Sequence, residues 1–263
     1  MVKGRPPAGM EPEVSADQST LNNRILRAIP EREFALIAAH LVPIDLDLGE
    51  TLHLAGTRIH DVYFPEAGFI SALSVLSDGQ PVEIGLVGAE GVVGVSAMLG
   101  ATESYDETMC QTGGRAHRLP VSAFKRVVEE APRLRRLLLR YVHAFHVQVA
   151  QTAACNAHHA LNQRLARWLL AAHDRSGTSE LSLTQDLIAV MLGVRRATVS
   201  IAAGQLQMAG IIRYQHGHIT ILDRTGLENA ACECYQSVAD EYRHMLGVDP
   251  AVVEARHLGE SLN

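Results

Sequence analysis

The chain has 263 residues, 47% of them hydrophobic, and a formal net charge of −6. That length suits two domains, each burying its own core. No run of about eighteen uncharged apolar residues occurs, and no apolar stretch follows Lys3 and Arg5, which excludes an obvious spanning helix or secretory leader and predicts a cytoplasmic protein with no membrane partner. The four cysteines, Cys110, Cys155, Cys232 and Cys234, are too few and too irregular for a disulfide framework. Cys232-x-Cys234 also lacks the two-residue gap usual in zinc motifs, so the sequence reads them as reduced thiols.

Residues 1–20, with three prolines and no apolar periodicity, are expected to be a disordered arm. From Ile25 to Leu41 apolar residues recur at about the helical period, at Ile25, Ile29, Phe34, Ile37 and Leu41, and Pro43 is expected to close that helix. Between Leu46 and Leu119 the pattern shortens to runs such as Val62-Tyr63-Phe64, Phe69 to Leu73 and Val82 to Val87. Turn signals separate them, Asp78-Gly79 being the most hairpin-like. Short strands about ten residues apart suggest a small antiparallel β-barrel or jelly roll, with 21–131 as its domain.

Past Pro132 lies a long amphipathic helix, 132–160, with Leu134, Leu137, Leu138, Tyr141, Val142, Phe145 and Val149 at threes and fours. Periodicity alone leaves two readings open: packing on its own barrel, or a seam for a second subunit. A further helix from Leu161 to His173 carries Trp168 and leads into the polar stretch 174–180.

The segment from Leu181 to Leu222 then reads as helix, tight turn, helix, hairpin. Thr184 is the expected N-cap, with Asp186 in the first turn, where a carboxylate suits the helix dipole. Gly193 should stop this helix and Val194 plug the corner. A second helix runs from Arg195 or Arg196 to Ala209, turning Val199, Ala203 and Leu206 inward and Arg196, Ser200 and Ile201 outward. Two short strands flank His216-Gly217 as a wing. Such a helix can enter the DNA major groove by its N-terminal residues, so Thr184, Arg195, Arg196, Thr198, Ser200 and Gln205 are the candidate DNA-binding residues. The acidic total does not forbid this, because 184–222 holds three arginines against Asp186, while 223–263 holds eight acids against three arginines.

"LTQDLIAVMLGVRRATVSIAAGQLQMAGII" resembles the winged helix-turn-helix of the Crp/Fnr family of bacterial transcription regulators. The order of elements over roughly 25–223 is similar too. The resemblance implies an α+β chain: an N-terminal β-barrel sensor, a long dimerisation helix and a winged helix-turn-helix at 161–223, here followed by a helical extension, 224–263. It implies a homodimer on a pseudo-palindromic operator in double-stranded DNA, with RNA polymerase as a further partner, and no enzymatic activity. It matches Arg196 to a guanine-reading arginine and Thr198 to a phosphate-facing hydroxyl. Ala197 stands where the family often has a base-contacting glutamate, and Ile201 where a second arginine is common.

In cyclic-nucleotide-binding members, a Gly-Glu pair and a downstream Arg hold the ligand. Here Val95 takes the glutamate position and Tyr105-Asp106-Glu107 lies near the arginine position, so the expectation is a barrel that has lost cyclic nucleotide binding. No cysteine precedes Cys110, which speaks against an iron-sulfur sensor. Thirteen histidines leave a haem or metal sensor of the same family open as an alternative; His143 and His146 have a spacing that can chelate, though exposed polar residues are the simpler reading. Cys155 would be a redox switch only if its pKa were lowered. The tail stripe Leu227, Ala230, Ala231, Cys234, Val238, Tyr242 and Leu246 predicts a helix packed on the winged domain or a partner subunit. Other classes remain: a cupin-like enzyme, whose closely spaced histidines and glutamate are missing, and a scaffold whose helix-turn-helix no longer binds DNA.

Overall fold

The computed structural model describes residues 16–247. Residues 1–15 of the expected arm lie outside these; 16–20 are ordered, with a 3-10 helix at Gln18–Thr20 held by Gln18 Nε2, which donates to the carbonyls of Leu26 and Ile29. The single helix expected over 25–41 is two, α1 (Arg24–Ala28) and α2 (Glu31–Ala38). Pro30 separates them, since it lacks a backbone donor and sits as the N-cap of α2. Pro43 does not end a helix but lies in strand β1 (Val42–Leu46).

Six more strands follow: β2 (Thr51–His53), β3 (Asp61–Ala67), β4 (Ile70–Val75), β5 (Pro81–Val87), β6 (Glu107–Cys110) and β7 (Gly114–Pro120). They form two antiparallel sheets, ordered β1-β7-β3 and β2-β6-β4-β5. This is a jelly-roll-like pair of sheets rather than a closed barrel. Pro43 is tolerated because β1 is an edge strand, paired only with β7. Phe64, Val62, Ile70 and Leu119 fill the space between the sheets, and α3 (Val121–Glu130) closes it with Phe124.

The long helix α4 runs Pro132–His158, with Pro132 in its first turn where a missing N–H costs nothing. Its Leu134, Leu138 and Tyr141 are fully buried in the core of their own protomer. Much of the apolar stripe seen in the sequence is therefore spent inside the chain. The face left outside carries Leu139, His143, His146, Ala150, Ala153, Ala154 and Ala157. An extended residue, His159, breaks the chain before α5 (Leu161–Ser176).

The C-terminal half comprises β8 (Glu180–Ser182), α6 (Gln185–Leu192), α7 (Arg196–Met208), β9 (Ile212–Gln215) and β10 (His218–Ile221). β8 was not legible in the polar stretch that precedes it; it joins the wing as the outer strand of a sheet ordered β8-β10-β9. The tail stripe is broken by Ala231-Cys232-Glu233 into α8 (Arg224–Ala230) and α9 (Cys234–Leu246). Both pack on their own chain, α8 against α5 and α9 along α4. Arg224 fixes α8: it pairs with buried Asp174 at 2.6 Å and donates to the Tyr235 hydroxyl, which in turn donates to Asp174 at 2.7 Å.

The two halves share a core. Phe69, Leu73 and Leu86 of the N-terminal β region pack with Leu165, Trp168, Met191 and Leu192. Two buried carboxylates on the N-terminal side reach across. Glu90 pairs with Arg175 at 2.7 Å, and Arg175 also donates to Gln148 and lies over the Tyr242 ring. Glu83 accepts from Ser71 Oγ at 2.6 Å and from the Trp168 indole at 2.7 Å. Among the described residues no single helix is long and apolar enough to cross a membrane.

Candidate nucleic-acid interface

Thr184 caps α6 as its position predicts, its hydroxyl accepting from the Leu187 N–H at 3.2 Å. At the other end Gly193 takes φ +61, a left-handed conformation that an L side chain resists, and Val194 N–H closes back on the Ala189 carbonyl at 2.9 Å. That stop turns the chain sharply: α6 and α7 meet at 105°, within the range for a helix-turn-helix. Val199, Ala203 and Leu206 hold α7 against α6 and α5 from its inner side, all nearly inaccessible. The Arg164 guanidinium donates to the Leu192 carbonyl and so occupies the end of α6.

All six candidate DNA-binding residues are exposed. Arg195 is the N-cap of α7 but supplies no side-chain cap, so the positive end of a 13-residue helix faces solvent, where an anion is favoured. At 100° per residue, Arg196 and Ser200 fall on the flank nearest α6, and Thr198 and Gln205 on the opposite flank. Between them runs an apolar ridge of Ala197, Ile201 and Met208, the last two 64% and 83% exposed. Arg196 Nε lies 3.7 Å from Asp186, both largely exposed, a contact worth little in water and easily exchanged for a phosphate or a base. Ser200 Oγ donates to Gln185 Oε1 at 2.6 Å. The sequence reading passed over Gln185, though its place beside the Thr184 cap at the crossing of the two helices would have found it.

The wing turns on His216 and Gly217, both with positive φ, +51 and +83, and Gln215 pairs directly with His218. That is the two-residue hairpin geometry that matches strand twist. Arg213 is exposed on β9.

In the N-terminal half, Val92 and Val93 of the stretch 91–99 are buried in the apolar core, and Val95 and Met98 pack against it. No Lys or Arg occurs from 91 to 114. Tyr105 is 84% exposed and turned away from the core. His143 and His146 are both exposed, His143 lying 3.2 Å from Glu241. Burial raises the Cys155 thiol and pushes Cys232 up to about 12, opposite to what a redox switch at Cys155 requires. The fold does, however, bring Cys155, His159, Cys232 and Cys234 together, a grouping invisible in the sequence.

Residues 163–230 match the family model of the Crp-like helix-turn-helix domain. The chain is 23% identical over 188 residues to a global nitrogen regulator of Synechococcus elongatus, covering 68% of this chain and 85% of that protein. Its fold is similar to that of a Crp/Fnr family transcriptional regulator from Eubacterium rectale, with a TM-score of 0.63 at 17% identity over 78% of this chain and 96% of that one. FixK2 from Bradyrhizobium japonicum gives the same TM-score and identity over 73% and 98%.

Proposed function

We infer that this chain, a transcription regulator of the Crp/Fnr type, reads its operator as a homodimer that places one α7 in each of two major-groove half-sites about one helical turn apart. The observation that carries this reading is the exposed, uncapped N-terminus of α7, with Arg195, Arg196 and Thr198 outward on a helix whose other face is locked into the domain core. In it, Arg196 pairs with a guanine edge, Thr198 and the α7 N-terminus take phosphates, and Thr184, Ser200 and Gln205 complete the contact. The apolar ridge of Ala197 and Ile201 suits thymine methyl groups better than guanines.

The dimer seam is the outer face of α4, where alanines at 150, 153, 154 and 157 allow a second helix to approach closely and Leu139 supplies an apolar contact. The sensor half does not take a cyclic nucleotide: its corresponding segment spends valines on the core and offers no cation for the phosphate. RNA polymerase is the proposed partner at the promoter.

Footprinting of the purified full chain on genomic fragments, including its own upstream region, tests this. The expected result is protection of two half-sites by a species of dimeric mass, weakening steeply with salt. A monomer in solution, or a dimer with no salt-sensitive preference among fragments, would overturn it.

A further inference from the structure

We propose that Cys155, His159, Cys232 and Cys234 form a tetrahedral site for one divalent metal ion of the zinc class, stapling the C-terminal extension to the break between α4 and α5. The four residues come from two places far apart in sequence. Cys155 lies in the last turn of α4, and His159, four residues on, is the extended residue that caps it. Cys232 lies in the break between α8 and α9, and Cys234, beyond Glu233, is the first residue of α9.

Their ligand atoms all lie within 4.8 Å of one another. Cys155 Sγ is 3.5 Å from Cys232 Sγ, and Cys234 Sγ is 3.4 Å from His159 Nδ1. A tetrahedron with Zn–S bonds of about 2.3 Å and Zn–N of about 2.0 Å has edges of roughly 3.5–3.8 Å. A disulfide would require the sulfurs at about 2.05 Å, so the observed spacing fits a shared ion and not a bond between thiols. The three thiols form a buried group apart from the two apolar cores, whereas cysteines serving only as small apolar residues would merge with a core.

The surroundings supply what a thiolate-rich site needs. His159 turns Nδ1 to the sulfurs while its Nε2 lies 3.3 Å from Glu233 Oε1, the carboxylate–histidine arrangement that orients a ligating imidazole. Gln151 Nε2 donates to Cys234 Sγ at 3.0 Å. On binding, three S–H bonds are exchanged for three metal–sulfur bonds, about three protons pass to buffer, and the site carries one net negative charge. Arg164 interacts electrostatically with Cys155 and Cys232, and Arg167 with Cys155; each has a buried Nε without a hydrogen-bond partner. They balance that charge.

The test uses the full chain purified without chelator, followed by elemental analysis and cobalt(II) replacement. The expected outcome is one zinc per chain, and thiolate-to-cobalt charge-transfer and tetrahedral ligand-field bands in the cobalt form. Both should be lost in the C232S/C234S double variant and retained in His143→Ala. Glu233→Gln, which keeps all four ligands, should weaken metal affinity about 10–100-fold. Absence of zinc together with absence of thiolate–cobalt bands in the unmodified chain would overturn the proposal, with no reliance on a variant's folding. So would full metal content in the double serine variant, or a Cys155–Cys232 disulfide in the protein as isolated. The readout is metal, not DNA, so this site can fail while the DNA-binding reading stands, and the reverse.

Discussion

Two sets of arginines sit in the C-terminal half in opposite surroundings. Arg195 and Arg196, at the tip of α7, are exposed, and the nearest partner of Arg196 is an equally exposed Asp186. Arg164, Arg167 and Arg175, on α5, are buried. Arg175 is committed to Glu90 across the junction with the N-terminal half, and Arg164 to the carbonyl end of α6. A guanidinium that has already lost its water to an internal carboxylate cannot serve DNA. One still solvated, weakly paired and placed at a helix N-terminus can. The same residue type is structural in one place and available in the other, and burial decides which.

Breaking the buried set should have the largest effect. Glu90→Ala leaves the Arg175 charge inaccessible and without its carboxylate, so chemical denaturation should show a loss of about 3–5 kcal/mol. Loss of less than about 1 kcal/mol would mean that water reaches the junction.

Glu83 comes next. Burial raises its carboxyl to about 7, against the opposing pull of Ser71, Trp168 and the nearby arginines. A folded-state value above the unfolded one means that the native protein keeps a proton which the unfolded chain has shed. Stability from this group therefore falls as pH rises from about 4.5 to about 7, and the full cost is present above that. Glu83→Gln keeps a neutral acceptor for Trp168. Its stability relative to the unmodified protein should rise by about 2–3 kcal/mol between about pH 5 and pH 8; a gap that does not change with pH would show that Glu83 is ionised throughout.

On the exposed set, Arg196→Ala should cost about 1–3 kcal/mol on the preferred operator and little on random DNA, measured by competition binding. Equal losses on both would make Arg196 a phosphate clamp. The smallest effect belongs to the cap: Thr184→Ala should lower stability by about 1 kcal/mol, with the fold kept and operator affinity only slightly reduced.

The parts legible in the sequence were those set by neighbours along the chain. Gly193 with its left-handed φ, the inward spacing of Val199, Ala203 and Leu206, and the His216-Gly217 hairpin all follow from local backbone preference and side-chain period. The tail was misread as one helix because its apolar stripe runs through Ala231 and Cys234 without a phase change; the break at 231–233 becomes visible only when α8 is seen anchored to Asp174 and α9 laid along α4. Pro30 was a local signal that went unused. Leu134, Leu138 and Tyr141 had the right period, but period says that a face is covered, not by what.

The sequence by itself determined a winged helix-turn-helix similar to the Crp type behind a small β domain and a long helix, and which helix tip carries positive charge. Only the tertiary structure decided which arginines remain available, which face of α4 is left open, and that residues 77 positions apart bring Cys155 and Cys232 to 3.5 Å. Local rules act over one turn of helix or one hairpin, so a linear chain can display them. Desolvation, pairing and ligand geometry depend on which surfaces the fold presses together, and no spacing along the chain encodes that.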